Sequence, residues 1–124
     1  MGIVPVVNEN DTIATSEIRY GDNDRLASRV AQITSADCLI LLSNINGLYS
    51  ADPSTDEDVK LINKVSEIDK DIEKMIGQSI SDYGKGGMKT KIQAAKTAML
   101  SGCHLAITNG SIMRPVKSLL AGRP

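Results

Sequence analysis

The segment DCLILLSNINGLYSADP, residues 37–53, decides how the rest of the chain is read. From Cys38 to Leu42 it is a short, unbroken apolar run that stops at a polar turn, the signature of a strand buried on both faces. Two other runs have the same form, IVPVV at 3–7 and HLAIT at 104–108. Between the runs the apolar residues return with a helical period: Leu26, Val30 and Ile33 at i, i+4, i+7, and Met88, Ile92, Ala95 and Met99 over a longer span. Strands that alternate with helices predict an α/β sandwich in which helices cover a mostly parallel sheet.

Working outward, Pro5 removes a ladder donor from the first run and moves it toward a sheet edge or a bulge. Residues 44–60, with Gly47, Pro53 and several Asp and Ser, read as a long surface loop. VSEIDKDIEKMIG from residue 65 suits a short amphipathic helix, QSISDYGKGG at 78–87 a second loop, and ITNGSIMRPVKSLLAG a strand, a turn and a final helix closed by Gly122. No internal repeat is evident.

The chain has 124 residues, the size of one domain, so one layered core is expected. Its 14 Lys and Arg against 15 Asp and Glu leave a net charge of -1, which offers no general attraction to nucleic acid or to an anionic membrane. The absence of Trp and Phe argues against a base-stacking platform for single-stranded nucleic acid. No apolar run is long enough to span a bilayer, and acids interrupt the first twenty residues where a secretory leader needs an uncharged stretch, so a cytoplasmic protein is expected. Cys38 and Cys103 each open an apolar run and read as reduced, buried thiols. His104 is the sole histidine, and with no second pair of ligands nearby no metal site is predicted.

In open α/β sheets, ligands bind beyond the carboxyl ends of the strands, so the loops after the apolar runs carry the functional expectation. NEND at 8–11 is either an amide-capped turn or part of a site, and Asp24 in GDND at 21–24 is either the N-cap of the Leu26 helix or a functional acid. Two such clusters in close succession exceed what turns require and suit a ligand with both ammonium and carboxylate groups. KGGMKTK at 85–91 opens a helix with glycines and lysines, a local anion site that lacks the spacing of a phosphate-binding P-loop. SNINGLYSADP at 43–53 is either a stiffened loop or the rim of a nucleotide pocket with Leu48 and Tyr49 on it.

In this order and spacing, NEND, EIRYGDND, LLSNINGLYSADP, GGMKTKIQAAKTA and ITNGS resemble the carboxyl-terminal half of the kinase domain of the glutamate 5-kinase (gamma-glutamyl kinase) family, within the amino-acid kinases. The resemblance implies a three-layer α/β sandwich and an ATP- and Mg²⁺-dependent transfer of phosphate to the side-chain carboxylate of L-glutamate, the first step of proline biosynthesis. It implies that Asp24 and Lys91 are catalytic, Asp24 orienting the lysines and Lys91 neutralising charge on the phosphates. Asn8, Asn10, Asp11 and Asn23 would bind glutamate. Ser43, Asn44, Tyr49, Lys85, Gly86, Gly87, Met88, Lys89, Thr90 and Lys91 would surround the nucleotide. The chain departs from the family pattern at 43 and 44, where Ser-Asn replaces Thr-Asp, and at Lys85, where a small hydroxyl residue is usual.

By the same resemblance, residues 1–124 form the nucleotide-binding half of the domain, without its N-terminal half or a C-terminal PUA domain. An apolar edge should then face a partner, either a second copy or the missing half. Feedback inhibition by L-proline through the loop between Asp11 and Asn23 is also implied. Two alternatives stay open: a different amino-acid kinase, acting on aspartate, acetylglutamate or a nucleoside monophosphate, or a non-catalytic module that binds nucleotide or proline or only oligomerises.

Overall fold

The structure, a computed structural model, describes residues 2–8, 22–50, 57–78 and 87–122. Its elements run α1 (Asp22–Ile33), β1 (Cys38–Ser43), β2 (Leu48–Tyr49), β3 (Leu61–Ile62), α2 (Lys70–Gln78), α3 (Gly87–Leu100), β4 (His104–Asn109) and α4 (Pro115–Leu120). Strands β1 and β4 pair in parallel, from Cys38 opposite His104 to Ser43 opposite Asn109. Strands β2 and β3 form a separate antiparallel pair.

The core lies where α1 and α3 pack side by side on the parallel pair. Ala27 and Ala94 meet over Leu41, and Ala31 and Ala98 meet over Cys103. Alanine lets two helix backbones approach closely, and the amide of Gln32 donates across the seam to the carbonyl of Thr97 at 3.1 Å. The other side of α3 buries Ile92 with Leu48 of the hairpin, and Ile62, Val65, Ile68, Ile72 and Met88 pack around them. Asp69 starts α2 by accepting from the backbone N–H groups of Asp71 and Ile72, each at 3.0 Å. An exposed Lys96–Glu73 ion pair links α2 to α3.

One relation escapes the linear reading. A shift of 67 positions carries Asp24 to Lys91, Ala27 to Ala94, Ala31 to Ala98 and Ser35 to Gly102. Both helices end in the same way: Ala36 N–H donates to Ala31 C=O and Cys103 N–H to Ala98 C=O, each at 3.0 Å. The left-handed residue in each closing turn is Ser35 (φ 52°) or Gly102 (φ 77°). The molecule therefore contains two copies of a helix–turn–strand unit. No linear period in the sequence reveals it, because only small residues and turn geometry repeat.

Several expectations change. Residues 3–7 form no strand, and Ile3, Val4 and Val6 are exposed, since an apolar run becomes a strand only when another strand pairs with it. Leu26 and Ile33 face outward, at 40% and 83% exposure, and the buried stripe of α1 is Ala27, Ser28 and Ala31. Close helix contact favours small residues there over bulky ones. Met99 is likewise 41% exposed. Cys38, expected buried, is exposed, whereas Cys103 is buried, and both are free thiols. The 44–60 loop contains β2, whose Leu48 is buried. The turn to α4 and its closure by Gly122, whose N–H donates to Leu119 C=O at 3.0 Å, match expectation. Among the described residues no helix is long and apolar enough to cross a membrane.

Candidate functional site

Each helix of the repeated unit runs antiparallel to the strand that follows it. The N-termini of α1 and α3 therefore stand together at the carboxyl ends of β1 and β4, where sheets of this kind bind ligands.

Asp24 lies in the first turn of α1, which begins at Asp22, so it is not the N-cap residue the sequence allowed. Its carboxylate accepts from Lys91 Nζ at 2.8 Å and from Thr90 Oγ1 at 3.3 Å, both from the first turns of α3. The side chains of Asp24 and Lys91 are each only 12% exposed. A carboxylate at a helix N-terminus is favoured by the helix dipole, but a lysine there is at the disfavoured end. Burying both charges costs desolvation that their attraction only partly returns. An apolar pair would hold α1 to α3 at least as well, so this arrangement suits a site better than a scaffold.

Of the residues expected to bind substrate, Asn23 and Asn8 meet: Asn23 Nδ2 donates to Asn8 Oδ1 at 3.1 Å. This contact brings the first residue of NEND onto the first turn of α1. Asn10 and Asp11 lie outside the described residues, as do Lys85 and Gly86. Gly87 is the first residue of α3, and Lys89 is exposed beside it. Met88 points into the core cluster of Leu48 and Ile92.

The rim of the site is a chain of neutral groups at the strand ends. Ser43 Oγ donates to Asn44 Oδ1 at 3.4 Å. Gly110 N–H donates to Ser43 C=O at 2.8 Å, tying the two loops together. A Cβ on Gly110 would sit 3.2 Å from Leu42 Cβ, so glycine is what permits this approach. Asn109 Nδ2 donates to Asn46 Oδ1 at 3.2 Å, and Asn46 Nδ2 to the Tyr49 hydroxyl at 3.1 Å. Asn46 and Asn109 were not among the predicted site residues. The available signal was that Asn109 follows its apolar run as Asn8 follows IVPVV.

The cysteines lie at the amino ends of the strands, away from these loops. Burial pushes the Cys103 thiol up, and the nearby Cys38 and Asp37 add to this while a backbone hydrogen bond at Leu39 opposes it. Cys38 is raised as well, by desolvation of the part of its thiol that is covered, although the residue as a whole is exposed. Thiols held neutral at the far end of the sheet are not nucleophiles for this site.

Known proteins resemble this chain in sequence and in fold. The model of the amino acid kinase family matches residues 1–109. A glutamate 5-kinase of Pelagibacter ubique is 62% identical over 119 residues, covering 96% of this chain and 32% of that protein. A glutamate 5-kinase of Dinoroseobacter shibae is 56% identical over 124 residues, covering all of this chain and 34% of its own length. The chain thus spans about a third of the curated relatives it matches. The crystal structure of UMP kinase from Ureaplasma parvum superimposes with a TM-score of 0.57 at 14% identity, over 82% of this chain and 39% of that one, a likeness of fold. With its parallel strand pair, its flanking helices and a family match over most of its length, the chain belongs to the amino acid kinase family.

Proposed function

We propose that this chain carries the nucleotide-binding half of a glutamate 5-kinase domain, and that the complete site transfers the γ-phosphoryl group of ATP to the side-chain carboxylate of L-glutamate. The observation that carries the reading is the buried Lys91–Asp24 pair at the joined N-termini of α1 and α3. The relatives named glutamate 5-kinase add support.

The chemistry fits these residue types. A glutamate carboxylate, with an ordinary pKa of about 4.3, is already ionised at neutral pH, so the acceptor needs no general base. What is required is positive charge and N–H donors to let two anions meet and to hold the transferring group. Lys91 would supply charge from a fixed position, because Asp24, itself held by the Thr90 hydroxyl, orients it. Lys89, exposed in the same turn, would meet the outer phosphates. Asn23 and Asn8 would hold glutamate with Asp11 opposite its ammonium group. Mg²⁺ would bridge the phosphates of ATP and neutralise charge developing on them. The reading includes a cytoplasmic setting, competition by L-proline at the glutamate loop, and pairing with a second copy or with the rest of the domain.

The test measures ATP binding to the chain and traps glutamyl phosphate with hydroxylamine. Trapping uses the chain alone and the chain supplemented with the remaining portion of a glutamate 5-kinase relative. Hydroxamate should form in the supplemented mixture and fall about 10²-fold or more with Lys91→Met or Asp24→Ala. An inactive mixture together with a chain that binds no ATP would sink the reading.

A further inference from the structure

The amides at the strand ends have a fixed polarity, and that polarity points outward. Ser111 donates its backbone N–H to the side chain of Asn109 at 2.9 Å. A backbone N–H can only donate, so the atom facing it must be the Asn109 oxygen. The Asn109 NH₂ group then faces Asn46 and must find an oxygen there, at 3.2 Å. That choice leaves the Asn46 NH₂ facing the Tyr49 hydroxyl at 3.1 Å, where the phenol oxygen can only accept. The Tyr49 hydroxyl hydrogen is therefore free to donate, and no described residue takes it.

We propose that Asn46 and Asn109 are positioning residues that hold Tyr49 as a committed hydrogen-bond donor to a phosphate oxygen of the bound nucleotide. The inference rests on the nucleotide-binding reading above and goes beyond it by assigning a polarity and two further residues. Phosphate oxygens only accept, so they match a donor that cannot reverse. A nucleobase edge mixes donors and acceptors and would be served better by a hydroxyl free to rotate. Every member of the relay is neutral, so no carboxylate within it repels the phosphates. The Gly110–Ser43 backbone bond makes the relay one body with both strands, and the donor is preorganised before the ligand arrives.

The experiment measures binding of ATP and of adenosine to the full chain and to Tyr49→Phe, Asn46→Asp and the double variant. Tyr49→Phe should weaken ATP about tenfold, the worth of one hydrogen bond to a charged acceptor, and leave adenosine unchanged. Asn46→Asp still accepts from Asn109, but it offers Tyr49 only oxygens, so the hydroxyl turns inward and ATP should weaken at least as much. In the Tyr49→Phe background the same substitution should cost less, because only its added charge remains to act. Equal losses from Asn46→Asp with Tyr or Phe at 49 would overturn the relay. Equal losses for adenosine and ATP in Tyr49→Phe would overturn the phosphate assignment. A chain that binds no ATP at all would instead defeat the nucleotide reading and this proposal with it.

Discussion

The unit of α1 and β1 and the unit of α3 and β4 share their packing and differ in their chemistry. Both place alanines at equivalent positions in the seam, and both close the helix with a left-handed residue and the same backbone bond. At equivalent places in the first helical turns, however, one presents Asp24 and the other Lys91. Where the strands end, one has Ser43 followed by Asn44 and the other Asn109 followed by Gly110. Two copies of one scaffold, laid side by side and parallel, bring their first turns to the same height. A charge on one then faces the opposite charge on the other, and the site lies between the units.

The largest expected effect tests that difference. Asp24→Ala leaves Lys91 buried without its carboxylate and should cost about 3 kcal/mol of stability in urea unfolding. Exchanging the charges, Asp24→Lys with Lys91→Asp, should recover part of this loss. No recovery would mean that the two first turns are not equivalent environments.

The next effect tests the likeness. Ala98 is fully buried and Ala31 is 4% exposed in the same cluster, so leucine at either should overpack the seam by about 2 kcal/mol and lower the melting temperature similarly. A chain that tolerates one and not the other would break the equivalence of the seams.

The closing turns give a smaller contrast. No atom lies within 4 Å of a Cβ added at Gly102, so Gly102→Ala should cost about 1 kcal/mol through backbone strain alone. In the other copy, Ser35→Gly should be neutral or stabilise by a few tenths of a kcal/mol, because it relieves the same strain at φ 52°.

The smallest effect concerns the thiols. The Cys103 pKa is raised above its ordinary 9.0 in the folded chain, so its contribution to stability is full below that pH. It is lost as pH rises through the folded value, because the unfolded thiol ionises first. The decline of stability in alkali should be shallower in Cys103→Ala. Iodoacetamide should modify exposed Cys38 well before Cys103.

Much of this was legible from residue order alone. The CLILLS and HLAIT runs identified the two parallel strands, because a run apolar on both faces has few other stable uses. The glycines before Met88 and the lysines after it, Lys91 among them, marked a helix N-terminus suited to anions, and the acids and amides of NEND and GDND, Asn23 and Asp24 among them, exceeded what turns need. Tertiary structure decided the rest. Whether IVPVV is a strand depends on a pairing partner, which no local pattern encodes. Which face of α1 is buried depended on how closely α3 could approach, and alanine prevailed over leucine there. The Asp24–Lys91 pair, the Asn109–Asn46–Tyr49 relay and the repeated unit all join residues distant in sequence. Contacts of that kind exist only once the chain has closed on itself, since hydrogen bonds and ion pairs act over a few ångströms of space and carry no trace along the chain.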